Sequence, residues 1–162
     1  MARWIGSIIP RNNATGFICI PGKGQIMKHS SPVLNEGINR EILAVMDQYV
    51  RFYNEKNEEK IFSLFSKNVS GFGTAKEETV LNLAQFKDRI RIDFNPANAI
   101  HMNVKILATG GEMPVAWITG LCTYTGRISG KSVHMDCRMT VVLVNRGGRW
   151  LFEQVHFSLP GA

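Results

Sequence analysis

Residues 133–160 read VHMDCRMTVVLVNRGGRWLFEQVHFSLP. β-Branched and aromatic residues fill both halves and Gly147-Gly148 divides them, the pattern of two strands joined by a tight turn. With an even loop of two or four residues at 145–148, Trp150, Phe152, Gln154, His156 and Ser158 share a sheet face with Leu143, Val141, Met139, Cys137 and Met135. A three-residue loop reverses that assignment. The even-loop face is mostly apolar, whereas the opposite one carries His134, Asp136, Arg138 and Glu153. The reading is therefore that His156 points inward, toward whatever covers the sheet.

Working outward, Val104–Thr109 and Val115–Thr125 have the same β-rich character, with Gly110-Gly111 and Gly126–Gly130 as the breaks. Together with Val133–Val144 and Arg149–Leu159 they predict an antiparallel meander. Three of these strands exceed the usual length of about five or six residues, so the sheet must twist and curl. Upstream the period changes. Ile38, Ile42, Val45, Met46, Tyr49, Phe52 and Tyr53 recur at three- and four-residue spacing, one face of a helix. A short second helix is expected from about Glu58 to Phe65, its acidic first turn suiting the helix dipole. VSGFGT, residues 69–74, is a short extended piece, and Asn82 with Gln85 resembles a capping box opening a third helix. Leu83, Phe86, Ile90 and Phe94 form that helix's apolar face, which ends before Pro96. The fold class is α+β: three N-terminal helices laid into a strongly curved antiparallel sheet.

Residues 1–35 differ from the rest, because Pro10, Pro21 and Pro32 with Gly16, Gly22 and Gly24 interrupt every longer element. They read as an irregular N-terminal extension to a single domain over 36–162, and Met27 is a candidate internal start. A chain that is 44% hydrophobic and 20% charged has the composition of a soluble globular domain and not of a disordered one. A net charge of +6 permits a polyanionic partner, but the basic residues are scattered with no run of four, so no nucleic-acid partner is expected. No apolar run approaches the roughly 20 residues of a bilayer span, and Pro10, Arg11 and Asn12 cut short the apolar start of the chain. No membrane association or secretion is expected, and the location is read as cytoplasmic. Cys19, Cys122 and Cys137 form no CxxC pair and are odd in number, which argues for reduced thiols over a zinc site or a disulfide framework. With no phosphate loop or activated nucleophile pattern either, no cofactor or metal is expected.

Candidate site residues follow from which polar groups the faces bury. An inward His156 is a hydrogen-bonded core histidine, a pocket wall that orients a ligand, or an acid or base. Tyr49 and Tyr53 lie on the first helix's apolar face, where packing is the plain role and Tyr49 the sharper pocket candidate. Asp93 falls within about 20° of Phe86 around the third helix, so its carboxylate is partly buried and is the best general-base candidate. Trp117 and Trp150 are core residues or aromatic pocket walls, Ser158 accompanies His156, and Arg138 is a dimer-face or anion-binding residue.

The succession of Arg138 and Thr140, Gly148 and Trp150, then His156, Ser158 and Pro160 resembles the R-x-T, G-x-W and H-x-S-x-P pieces of SnoaL-like domains. These belong to the nuclear transport factor 2-like superfamily, and the resemblance covers about residues 36–160. It implies a cone-shaped fold, a pocket between helices and sheet, and homodimerisation through the outer sheet face. Its members include isomerases, cyclases, dehydratases, epoxide hydrolases, ligand-binding modules and a kinase association domain, so the fold alone selects no function. Members of the ketosteroid isomerase type carry a carboxylate base after the second helix, yet VSGFGT here has neither Asp nor Glu. The epoxide hydrolase members use Asp, Arg and Asp together, for which Asp93, Arg138 and Asp136 are the residues to hand. The expected function is binding of a small apolar molecule. The alternatives are an isomerase, cyclase or dehydratase using Asp93 or His156 as base, and an association module.

Overall fold

The computed structural model describes residues 34–96 and 98–160. Apart from Leu34 and Asn35, the predicted extension lies outside those residues, as do Met27 and Cys19. Leu34 is buried in the core, and the Asn35 side chain caps the first helix by accepting a hydrogen bond from the Gly37 amide at 2.7 Å.

Helix α1 (Glu36–Asn54) buries Ile42, Met46, Tyr49, Phe52 and Tyr53, the face its periodicity predicts. Helix α2 (Glu58–Ser63) is capped by Asn57 and ends two residues before the expected Phe65, because strand β1 (Phe65–Phe72) has already begun there. A two-residue strand, β2 (Thr79–Val80), precedes helix α3 (Leu83–Asp93). Asn82 accepts from the Gln85 amide as expected, while the Gln85 side chain reaches back to the Leu81 amide and not to that of the cap residue. The meander then runs through β3 (Asn98–Glu112), β4 (Val115–Ile128), β5 (Lys131–Arg146) and β6 (Arg149–Ser158). No helix among the described residues is long and apolar enough to cross a membrane.

The sheet order is β2-β1-β6-β5-β4-β3. The four long strands are antiparallel as predicted, but β1 pairs with β6 in parallel, so the sheet is mixed and not wholly antiparallel. The meander leaves one edge of β6 unpaired, and β1 occupies it. The Phe152 amide, donating to the Leu64 carbonyl at 2.9 Å, joins the two segments. The join depends on Gly71: it sits at φ +153° and a Cβ there would come within 1.7 Å of the Val155 carbonyl oxygen.

The even turn is present, with Arg146 opposite Arg149 and Phe152 opposite Leu143. Beyond that pair the register slips: Gln154 faces Val142, and Glu153 is the extra residue of a β-bulge. The slip reverses the faces of everything that follows. Trp150 and Phe152 point inward as expected, but Val155 and Phe157 take the inward positions after the bulge, and His156 is exposed. The inward expectation for His156 and Ser158 is thereby corrected. In a regular strand Gln154 and His156 would lie under the helices while Val155 and Phe157 faced water. Burying an apolar side chain of that size contributes about 1.5–3 kcal/mol, and buried polar groups cost free energy unless partnered, so the bulged register is favoured.

Helices and sheet meet through aromatic rings. Phe65 stacks on Phe86 at 4.0 Å and on Phe152 at 4.9 Å, and Phe152 meets Tyr49 at 5.3 Å, linking α3, β1, β6 and α1. Two polar clamps fix the ends of α1. Trp150 Nε1 donates to Glu41 at 2.8 Å, and the Asn54 side-chain amide exchanges two hydrogen bonds with the Met102 backbone, at 2.7 and 2.9 Å, on the free edge of β3.

The bulge predicts an alternating mutational pattern along β6. Phe157→Ala is expected to destabilise the fold by about 3–5 kcal/mol, and His156→Ala by less than about 1 kcal/mol. Urea denaturation of both variants checks this, and equal losses would contradict the face assignment.

Candidate functional site

Between the helices and the concave sheet face lies a cavity of about 620 Å³, within the size range of small-molecule sites. Tyr49 and Tyr53 of α1 form one wall, and Phe86, Arg89, Ile90 and Asp93 of α3 form the next. The sheet supplies Ile100, Tyr124, Met135, Val155 and Phe157. At the rim stand exposed groups, among them Phe72, Ile128 and His134, so the cavity opens to solvent there.

The helices aim their polar groups at one place. Because α1 spaces Tyr49 and Tyr53 one turn apart, both reach the cavity, and the Tyr53 hydroxyl donates to Asp93 Oδ2 at 3.0 Å. Burial pushes the Asp93 carboxyl up from the ordinary aspartate range; the Tyr53 hydrogen bond opposes that, nearby Glu78 reinforces it, and Arg89 opposes it. Burial also raises the phenols of Tyr49, Tyr53 and Tyr124 well above their usual range, so all three stay protonated and able to donate. Cys122, inward beside Tyr124 in the strand, is pushed up to about 12, chiefly by burial.

The cavity's guanidinium is already engaged. Arg89 is ion-paired with Glu78 Oε1, while Glu78 Oε2 accepts from the Ala75 amide at 3.0 Å and from Thr74 Oγ1 at 3.3 Å. Burial alone would raise the Glu78 carboxyl, but the Ala75 amide, Arg89 and Thr74 outweigh it and hold the group below its usual range. His134 Nε2 lies 3.3 Å from Asp136 Oδ2, both well exposed. Among the described residues no group of three or more His, Cys, Asp or Glu side chains is placed to hold a metal ion.

Of the candidate site residues read from the sequence, Tyr49, Tyr53 and Asp93 border the cavity, while Trp117, Arg138, Trp150, His156 and Ser158 do not. His156 and Ser158 stand on the outer face opposite Thr140 and Arg138, because of the bulge, and the His156 ring meets Phe72 edge-on at 5.8 Å. Arg138 is exposed there too, which removes the anion-clamp role inside the pocket. Trp117 alternates with the inward Ala116 and Ile118, so it faces outward and covers Gly110. Trp150 is inward and buried, but its ring fixes α1 through Glu41 and does not line the cavity. Asp93, Arg138 and Asp136 therefore do not converge: the first is in the cavity wall, the other two on exposed outer positions.

The sequence pattern gives Tyr53 a packing role and does not single out Tyr124 or Glu78. For Tyr53 the signal was its four-residue spacing from Tyr49; for Tyr124 it was alternation with the inward Ile118, Gly120 and Cys122. Glu78 sits in a loop and carries no periodic signal.

A SnoaL-like domain family model matches residues 42–162. Among solved structures, an NTF2-like protein of unknown function from Pseudomonas putida KT2440 superposes with a TM-score of 0.69 at 14% identity, covering 80% of this chain and 92% of that one. A ketosteroid isomerase-like protein from Erwinia carotovora atroseptica gives 0.67 at 13%, covering 80% and 100%. A proposed calcium/calmodulin-dependent protein kinase II association domain from Xanthomonas campestris gives 0.63 at 19%, covering 90% and 95%. At these identities the likeness is one of fold. Comparison with curated protein sequences gives no match.

The raised Asp93 carboxyl sets the sign of a pH effect. A carboxyl that holds its proton more tightly when folded opposes folding once it ionises, so its unfavourable contribution appears as pH rises from the ordinary aspartate value through the raised one. The stability of Asp93→Asn relative to the unaltered chain is therefore expected to improve between about pH 3 and pH 7. Glu78, shifted the other way, is common to both proteins and cancels. Thermal unfolding across that range measures the difference, and a flat one would show that folding does not perturb Asp93.

Proposed function

The chain belongs to the SnoaL-like domain family, and from the cavity between its helices and sheet we propose that it binds a small, largely apolar molecule there. The observation that carries this reading is the Asp93–Tyr53 pair, set into a wall otherwise built mainly of Phe86, Ile90, Ile100, Val155 and Phe157. Apolar surface supplies the affinity of such a site, and a few fixed polar groups orient what enters. An association module with a vestigial cavity needs that space filled by side chains, which an opening of about 620 Å³ argues against.

The second reading is an enzyme that moves a proton on the bound molecule, an isomerase, cyclase or dehydratase. Asp93 supports it: a partly buried carboxylate with a raised pKa is a suitable general base, and Tyr49 and Tyr124 are neutral donors in the same cavity. His156, on the outer face, is no longer a candidate base in this reading.

We place a second copy of the chain on the outer sheet face, where Leu107 is 55%, Leu121 44% and Trp117 37% exposed. The reading of a reducing, cytoplasmic location is supported by the free buried thiols Cys122 and Cys137.

Native mass spectrometry with 2-naphthol as apolar probe tests both binding and self-association. The expected result is a dimer that takes up probe, with uptake lost in Ile100→Trp, which fills the cavity. A monomer that takes up none sinks both readings at once. Retained uptake in Ile100→Trp would put the binding site elsewhere.

A further inference from the structure

The charges that line the cavity bear on which headgroup an apolar ligand carries. Glu78, Arg89 and Asp93 are its charged residues, with His134 at the rim beside Asp136. Arg89 and Glu78 neutralise one another in an ion pair, and Glu78 is further held by Ala75 and Thr74. Asp93 is left without a paired cation among these residues. Tyr53 donates to its Oδ2, and a carboxylate has further lone pairs to offer. The complement of such a wall is an N–H or O–H donor, neutral or positively charged.

A carboxylate headgroup meets the opposite conditions. It would lie beside Asp93 in a partly desolvated space where like charges repel strongly. To gain a cation it would have to draw Arg89 away from Glu78, leaving that carboxyl half-buried and unpaired.

We propose that the cavity selects apolar molecules bearing an alcohol or amine headgroup, with Asp93 as the acceptor, and excludes those bearing a carboxylate; this rests on the binding reading above. Glu78 acts as the guard of that preference by keeping Arg89 occupied.

Isothermal titration at pH 7 with 4-phenylbutanol, 4-phenylbutylamine and 4-phenylbutanoate holds the apolar body constant and varies the headgroup. The alcohol and amine are expected to bind at least about tenfold more tightly than the acid, a difference that one unfavourable charge contact suffices to produce. Asp93→Asn is expected to weaken the amine and strengthen the acid, each several-fold. Glu78→Gln, which leaves Asp93 in place and frees Arg89, is expected to strengthen the acid by about tenfold. Tightest binding by the acid in the unaltered chain overturns the headgroup preference while leaving the binding reading standing. So does a ranking that neither variant moves. Failure of all three compounds to bind overturns the binding reading and the preference together.

Discussion

One extra residue in β6 governs how the helices sit on the sheet. The bulge at Glu153 lets Trp150, Phe152, Val155 and Phe157 all face the same side, although strict alternation from Phe152 would put the last two on the other. Phe152 anchors the ring stack that holds α1, α3 and β1 together, and Val155 and Phe157 become the floor of the cavity. The bulge has a local cost: Glu153 Oε1 accepts from Arg146 at 3.1 Å while its Oε2 is buried with no hydrogen-bond partner among the described residues. That the register persists is a measure of how strongly the two apolar side chains favour burial.

Ring contacts and hydrogen bonds together seat α1 on the rest of the domain. The ring stack, the Trp150–Glu41 bond and the Leu64–Phe152 bond pack the domain tightly where α1 crosses β6 and β1. At its C-terminal end α1 is tied to the sheet by polar bonds as well, since the Asn54 amide pairs with the Met102 backbone in place of a neighbouring strand, and Tyr53 meets Tyr124 edge-on at 5.9 Å. Tyr53 joins α1 to the end of α3 both by its hydrogen bond to Asp93 and by an edge-on ring contact with Phe94 at 5.3 Å. The cavity lies beside these contacts, bordered by Tyr49, Tyr53 and Asp93.

What the chain disclosed by pattern was whatever repeats. The apolar face of α1, the capped α3 ending before Pro96 and the antiparallel order of the meander are periodic signals, and each is present. Asp93 was legible for the same reason, because its angle around α3 follows from helix geometry alone. The side assigned to His156 and Ser158 failed because alternation assumes an unbroken strand, and a bulge is a single aperiodic event chosen by tertiary burial. The parallel pairing of β1 with β6 was likewise out of reach, as it joins segments about 85 residues apart through an edge that only the finished sheet presents. The Glu78–Arg89 pair depends on a loop conformation, for which hydropathy carries no signal.

The position of the carboxylate has a chemical consequence. VSGFGT lacks the acid that ketosteroid isomerase-type relatives of this fold are expected to carry after the second helix, and Gly71 in that strand is committed to close approach of β6. Two acids line the cavity: Glu78 is ion-paired with Arg89, and Asp93 comes from the last turn of α3, where burial raises it and a tyrosine hydrogen bond opposes the rise. An incoming hydrogen-bond donor favours the carboxylate form of such a group, and an incoming acceptor favours the acid. A helix-borne aspartate shared with Tyr53 is thus able to serve as an orienting acceptor without committing the site to proton abstraction. Catalysis would require a bound molecule whose acidic C–H lies within reach of that oxygen. The distinction between binder and enzyme therefore lies in the ligand's geometry against Asp93, since the same two side chains serve either role.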